Sequence, residues 1–186
     1  MTESRRGLLK KTLAGAALLA TAGAVPVALR RTKLREIPGG RTLHFFTPAE
    51  YSIWAAVADR ILAEEKPSGA PTASQLDIAG RADVFLAPLP DADRKDLKQL
   101  LALFDNALFS VLQGGPPRTF TSMSDEEQDA HIRSWQTSRL AIQRTGYQAM
   151  KRLCCALYFS APETYAAVGY PGPPYDLVRS VLGARR

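Results

Sequence analysis

Cysteine and histidine, the residue types that most often carry metal and redox chemistry, are scarce: two of each stand among 186 residues. The cysteines, Cys154 and Cys155, are neighbours. Neither a CxxC nor a CxxCH can be written, so this chain alone supports no zinc ribbon, iron–sulfur cluster or c-type haem. The histidines, His44 and His131, lie far apart and share no motif. No serine stands in a G-x-S-x-G setting and no G-x-G-x-x-G follows a strand, so neither a nucleophile elbow nor a dinucleotide site is indicated. Asp125, Glu126, Glu127 and Asp129 lack the glycine and the bidentate end of a calcium loop and read as the charged start of a helix. Charge of one sign is also modest. The net value is +6, and half of it lies before residue 25, where Arg5, Arg6, Lys10 and Lys11 outnumber Glu3. No basic stripe interleaved with aromatics remains, which argues against a nucleic-acid partner. Strand-like alternation and internal repeats are missing too.

What is present is helical punctuation. Hydrophobic residues make up 46% of the chain, enough for one real core. Thr47-Pro48-Ala49-Glu50 offers a capping threonine, a first-turn proline and a glutamate three residues after the cap. Tyr51 to Glu65 then gives an amphipathic helix with Trp54, Val57, Ala58, Ile61 and Leu62 inward, and Phe46 is placed to pack on Tyr51 or nearby. A second helix is expected over Ser74 to Leu86, with Leu76, Ala79, Ala82 or Asp83, and Leu86 on one side. A third is expected over Asp91 to Leu112, with Leu97, Leu100, Leu101, Phe104, Leu108 and Val111 inward. Ser122 or Ser124 caps the next, which runs to about Thr137 with Ile132 and Trp135 inward. Leu140 to Ser160 makes the long central helix, whose buried stripe is Leu140, Tyr147, Met150, Cys154, Leu157, Tyr158 and Ala161. A new helix can start at Pro162, and a last short one is expected over Tyr175 to Leu182. His44 is expected beside the first helix and His131 on the exposed side of an acidic helix start. The fold class is therefore all-α: a compact bundle of about five or six helices after an N-terminal signal segment. Residues 1–31 form the signal or a retained anchor, 32–46 a linker with a short apolar lead-in, and 47–186 the helical domain.

Ser4-Arg5-Arg6-Gly7-Leu8-Leu9-Lys10 resembles the twin-arginine export signal, with Arg5, Arg6, Leu8 and Leu9 at its defining positions. An apolar stretch from Leu13 to Leu29 follows, and Ala22-Gly23-Ala24 supplies the small residues of a cleavage site, which would leave Val25 as the new start. The same stretch, with Pro26 inside and Arg30 and Arg31 behind it, is at the short edge for a retained membrane anchor. The twin-arginine route carries proteins already folded, usually around a cofactor. Nothing after the signal looks able to hold one.

The cysteine pair allows one further inference. Adjacent Cα atoms are about 3.8 Å apart, below the roughly 4.4–6.8 Å of a disulfide, and their side chains diverge by about 100° on a helix. Cys154 and Cys155 therefore do not pair while the helix is intact. Cys154 falls on the apolar stripe and reads as an inert core thiol. Cys155 falls at its edge near Lys151, Phe159 and Arg152, where cations favour thiolate. Cys155 is the candidate for an intersubunit disulfide; two buried or free thiols is the other reading.

Several motifs carry a resemblance. They are the twin-arginine signal, Thr47-Pro48-Ala49-Glu50, Arg118-Thr119-Phe120 with Met123-Ser124-Asp125-Glu126-Glu127, and Gly169-Tyr170-Pro171-Gly172-Pro173-Pro174 shortly after Pro162-Glu163-Thr164-Tyr165. Together they resemble the gluconate 2-dehydrogenase subunit 3 family over most of residues 45–174. The resemblance implies a small, non-catalytic, cofactor-free helical subunit. Its partner is a large FAD-dependent dehydrogenase of the glucose–methanol–choline type, often accompanied by a cytochrome c subunit. That flavoprotein generally lacks its own signal, so this chain would engage the twin-arginine translocase for both. The location implied is the periplasm or the outer face of the cytoplasmic membrane. The expected interface includes Tyr170, Pro171, Pro173 and Pro174. Rival readings are an independent thiol-active periplasmic protein using Cys155, and a membrane tether. The substrate of the complex is not written in this chain.

Overall fold

The structure is a computed structural model that describes residues 31–173. The twin-arginine motif, the cleavage residues Ala22 and Ala24, Pro174 and the helix expected over Tyr175 to Leu182 lie outside the described residues. Those that are described form an all-α fold with seven α-helices: α1 (Pro48–Glu65), α2 (Ile78–Leu86), α3 (Asp91–Phe104), α4 (Ala107–Leu112), α5 (Asp125–Gln136), α6 (Ala141–Phe159) and α7 (Pro162–Tyr165). Short 3-10 turns sit at Pro38–Gly40, Phe120–Ser122 and Ala166–Val168. Among these residues no helix is long and apolar enough to cross a membrane.

Two helix starts are set by the local signals read from sequence. Thr47 and Glu50 form a reciprocal capping box at α1, and Ser124 with Glu127 forms a second at α5. Each satisfies two backbone donors that the first turn leaves unpaired. Phe46 packs on Trp54, with ring centroids 5.8 Å apart. The helix expected over Ser74 to Leu86 starts later, because Asp77 caps it through Gly80 N (3.0 Å) and also accepts Tyr51 Oη (2.7 Å). Asp77 holds a left-handed backbone, φ 45°, the only non-glycine among the described residues to do so.

The helix expected over Asp91 to Leu112 is broken at Asp105 and Asn106. Asn106 turns extended and its side-chain oxygen accepts Phe109 N at 2.9 Å, which restarts the chain as α4. The break rotates the second half, so Val111, expected inward, is 40% exposed. Leu140 is also a correction. It is the residue before α6, not its first buried turn, and it is 55% exposed. The rest of the expected stripe on α6 is buried.

α6 is the hub: it packs on α1, α2 and α5. Beneath it Phe104 is the centre of an aromatic knot, with Phe120 at 4.7 Å and Trp135 and His131 each at 4.8 Å, all edge-on. Edge-to-face rings at such distances are worth roughly 0.5–1.5 kcal/mol per pair beyond their burial. Tyr158 Oη ties α6 to the loop between α1 and α2 by donating to Pro71 O at 2.7 Å. Arg60 joins α1 to α5: its Nε and Nη2 reach Asp129 at 2.7 and 2.6 Å, and its Nη1 reaches Asp125 at 2.8 Å.

Candidate interaction surface

Among the described residues no group of three or more His, Cys, Asp or Glu side chains is arranged to hold a metal ion. The perturbed groups are perturbed by structure. His131, expected on an exposed side, is buried in the aromatic knot, and burial lowers its pKa to about 4 against a hydrogen bond to the Phe104 backbone. It is thus neutral, with its Nε2 unpartnered. Asp125 and Glu126 in the acidic first turn of α5 face away from it; Gln128, Ile132 and Trp135 share its buried side of α5.

Two buried carboxylates went unread as fasteners. Asp83 accepts the backbone N–H groups of His44, Phe45 and Phe46 at 2.8, 2.9 and 2.7 Å. Burial pushes its pKa up, but the three N–H donors outweigh that and hold it below the usual carboxylate range. Asp105 accepts Thr32 Oγ1 at 2.6 Å, Thr121 N at 2.8 Å and Thr121 Oγ1 at 3.0 Å. Here burial dominates and the pKa is raised. Together with Lys33 N donating to Thr121 Oγ1 and Arg35 N to Ser52 Oγ, Asp105 fastens an extended strap, residues 31–37, across the domain. An acid inside an apolar stripe was the available signal for Asp83. For Asp105 it was the Asp-Asn pair inside a helical pattern.

The cysteines behave differently from each other. Cys154 is fully buried and burial drives its thiol pKa far up. Cys155 is half-buried and its thiol is raised as well, by burial and then by Glu65, with Lys151 only partly opposing. The expected activation by cations is therefore corrected: Lys151 is bonded to Glu65, so its charge is already met.

The turn at the end of the described chain follows from its glycines and prolines. The 3-10 turn Ala166–Val168 that follows α7 ends at Gly169, φ 67°, and Tyr170 N donates back to Tyr165 O at 2.9 Å. Tyr170 then lies edge-on to Tyr165, ring centroids 5.0 Å apart, and is 44% exposed. Pro171 is exposed and Pro173 half-buried beside it.

A larger apolar feature was missed. Between α3 and α6 runs an open groove of about 550 Å³, lined by Asp96, Leu97, Leu100, Ala141, Ile142, Thr145, Gly146 and Ala149. Leu100 forms its floor by leaning on Gly146, where a Cβ would stand 2.5 Å from Leu100 Cδ1. Ile142 on its wall is 67% exposed. No spacing in one segment announces this groove, because its two walls are separate helices.

Residues 48–172 match the family described as Gluconate 2-dehydrogenase subunit 3. That span covers all seven helices and ends within the Tyr170 turn. Neither the curated proteins nor the solved structures contain a significant match to the chain.

Proposed function

Because the chain belongs to the gluconate 2-dehydrogenase subunit 3 family, and so to the subunits of a dehydrogenase complex, we propose that it is the non-catalytic small subunit of a periplasmic flavin-dependent dehydrogenase. Its large partner, of the glucose–methanol–choline type, holds FAD and carries the chemistry; a cytochrome c subunit takes the electrons onward. The small subunit binds and stabilises the flavoprotein by mass action and lends it the Arg5-Arg6 export signal, so that the two cross the membrane folded and together. The family match carries this reading. The strap supports it: residues 31–37 are fastened to the helical body by Asp105, Thr121 and Ser52, so a folded domain stands directly behind the signal. Tyr170, Pro171, Pro173 and Pro174 form part of the contact with the large subunit, and Cys155 is the one cysteine placed to crosslink to it. The raised Cys155 thiol weighs against an independent thiol enzyme.

The test is to purify the tagged chain from exported material and follow bound flavin, with the wild-type signal and with Arg5 and Arg6 both changed to Lys. The wild type retains a flavoprotein in the periplasm; the double variant leaves both proteins in the cytoplasm. A flavoprotein whose export ignores the change, or none at all, defeats the proposal. N-terminal sequencing separates a cleaved subunit, starting at Val25, from a retained anchor. A non-reducing gel reads the Cys155 crosslink as a band that shifts on reduction.

A further inference from the structure

We infer that the groove between α3 and α6 is the seat of an amphipathic helix of the large dehydrogenase subunit, its apolar stripe on Ile142, Ala149 and Leu97 and a carboxylate beside that stripe meeting Arg152. The inference rests on the reading just given and adds the surface and the chemistry of the contact.

Shape comes first. The volume, about 550 Å³, falls in the range of small-molecule pockets, but such pockets enclose most of their ligand. This one is an open trough with only Asp96 and Thr145 as polar lining side chains. Its α6 wall runs from Ala141 to Ala149, roughly 12 Å at about 1.5 Å per residue, or two helical turns. An apolar trough of that length suits two or three side chains at i, i+3 and i+7 of a docked helix.

The spacing on α6 points the same way. Ile142, Thr145, Ala149, Arg152 and Ala156 recur every three or four residues, and all five are exposed. They make a second seam on a helix whose first seam is already buried. Most of them are small, which lets another helix approach closely.

Charge identifies the occupant. From Arg139 to Ser160 the chain holds four cations, Arg139, Arg144, Lys151 and Arg152, and no carboxylate. Lys151 is met by Glu65. Arg139, just before the helix, and Arg152, the next seam position after Ala149, make no ion pair among the described residues. A second copy of this chain would set Arg152 against the same cationic helix, which like charge disfavours. A partner helix with its acid on the Arg152 side of the apolar stripe, away from the Asp96 carboxylate on the α3 wall, satisfies both groove and rim.

The experiment uses the full chain co-produced with its flavoprotein, and reads flavin retained per small subunit together with the dissociation constant. Ile142→Glu and Ala149→Glu change exposed side chains, so melting curves confirm that both variants fold. Each weakens the complex at least about tenfold, the loss expected at a buried anchor. Arg152→Glu weakens it more than Arg152→Gln does, and added salt narrows that gap. Leu34→Glu, equally apolar and exposed but on the strap, leaves affinity unchanged. If the wild type binds its flavoprotein and the groove variants bind equally well, the groove is wrong while the proposed function stands. If the wild type retains no flavoprotein, the function falls and the groove with it. If the chain alone dimerises and Ile142→Glu abolishes the dimer, the occupant is a second copy and the inference is overturned.

Discussion

On α6, Tyr147, Met150, Cys154, Leu157 and Tyr158 are buried, whereas Ile142, Thr145, Ala149, Arg152 and Ala156, largely on the far side of the same helix, are exposed. The buried side is aromatic, sulfur-bearing or long, and fills volume between α1, α2 and α5. The exposed side is small or β-branched, with one cation. Bulk marks the face that the chain completes by itself; in the proposed docking, smallness marks the face open to another polypeptide. If that division is right, substitutions on the two sides differ in what they damage: stability on one, assembly on the other.

The largest effect tests the sealed side. Trp135 is fully buried against Phe104 and beneath Gly146. Trp135→Ala costs about 3–5 kcal/mol in chemical denaturation, against less than about 0.5 kcal/mol for Ile142→Ala on the exposed side. Equal costs for the two would break the comparison.

The second test uses pH on the same aromatic knot. His131 has a folded pKa of about 4 because burial resists its charge, whereas the unfolded value is near 6.5. Between those values the unfolded chain binds the extra proton, so stability falls as pH drops from about 6.5 to 4 and is flat above that window. The loss approaches ~3 kcal/mol at the lower end. His131→Phe removes this slope. Urea midpoints across that range check it, and an unchanged slope in the variant assigns the effect to another group.

These two positions also show how far the sequence could be read. The caps at Thr47 and Ser124 were legible because a cap is a local bargain among four residues. The buried stripe of α6 was legible because a 3.6-residue period persists through it. Periodicity failed where a helix ended or broke. Leu140 was carried into a helix that begins one residue later, and Val111 was carried through a break made by Asn106. His131 was misplaced although Gln128, Ile132 and Trp135 formed a stripe that includes it. Asp83 was legible only as a possible member of a helix stripe and Asp105 not at all, since their partners lie 37–39 and 16–73 residues away. The groove was illegible for the same reason: it belongs to the pairing of α3 with α6.

Asp83 supplies the third test. Asp83→Asn keeps one carbonyl acceptor but removes the charge that serves three N–H groups. A cost of about 2 kcal/mol is expected, in line with hydrogen bonds to charged groups. Because the 44–46 segment carries Phe45 and Phe46 into the core, faster amide exchange there localises the damage. Exchange that quickens equally across α6 would mean that the fastener serves the whole core instead.

Gly146 gives a small stability change and the sharpest separation of the two faces, because it lies on their boundary. A Cβ there would meet Leu100 Cδ1 at 2.5 Å and Trp135 Cζ3 at 3.2 Å. Gly146→Ala gains roughly 0.8–1 kcal/mol of helix propensity. Against this stands crowding, of which the Leu100 part is relieved by swinging a flexible side chain outward and the Trp135 part by a shift of a few tenths of an ångström. The two nearly cancel, so the melting free energy moves by less than about 1 kcal/mol. Leu100, however, swings into the groove and raises its floor. The complex with the flavoprotein therefore weakens by more than the fold does. A variant that loses stability and affinity in equal measure would place Gly146 wholly on the sealed side.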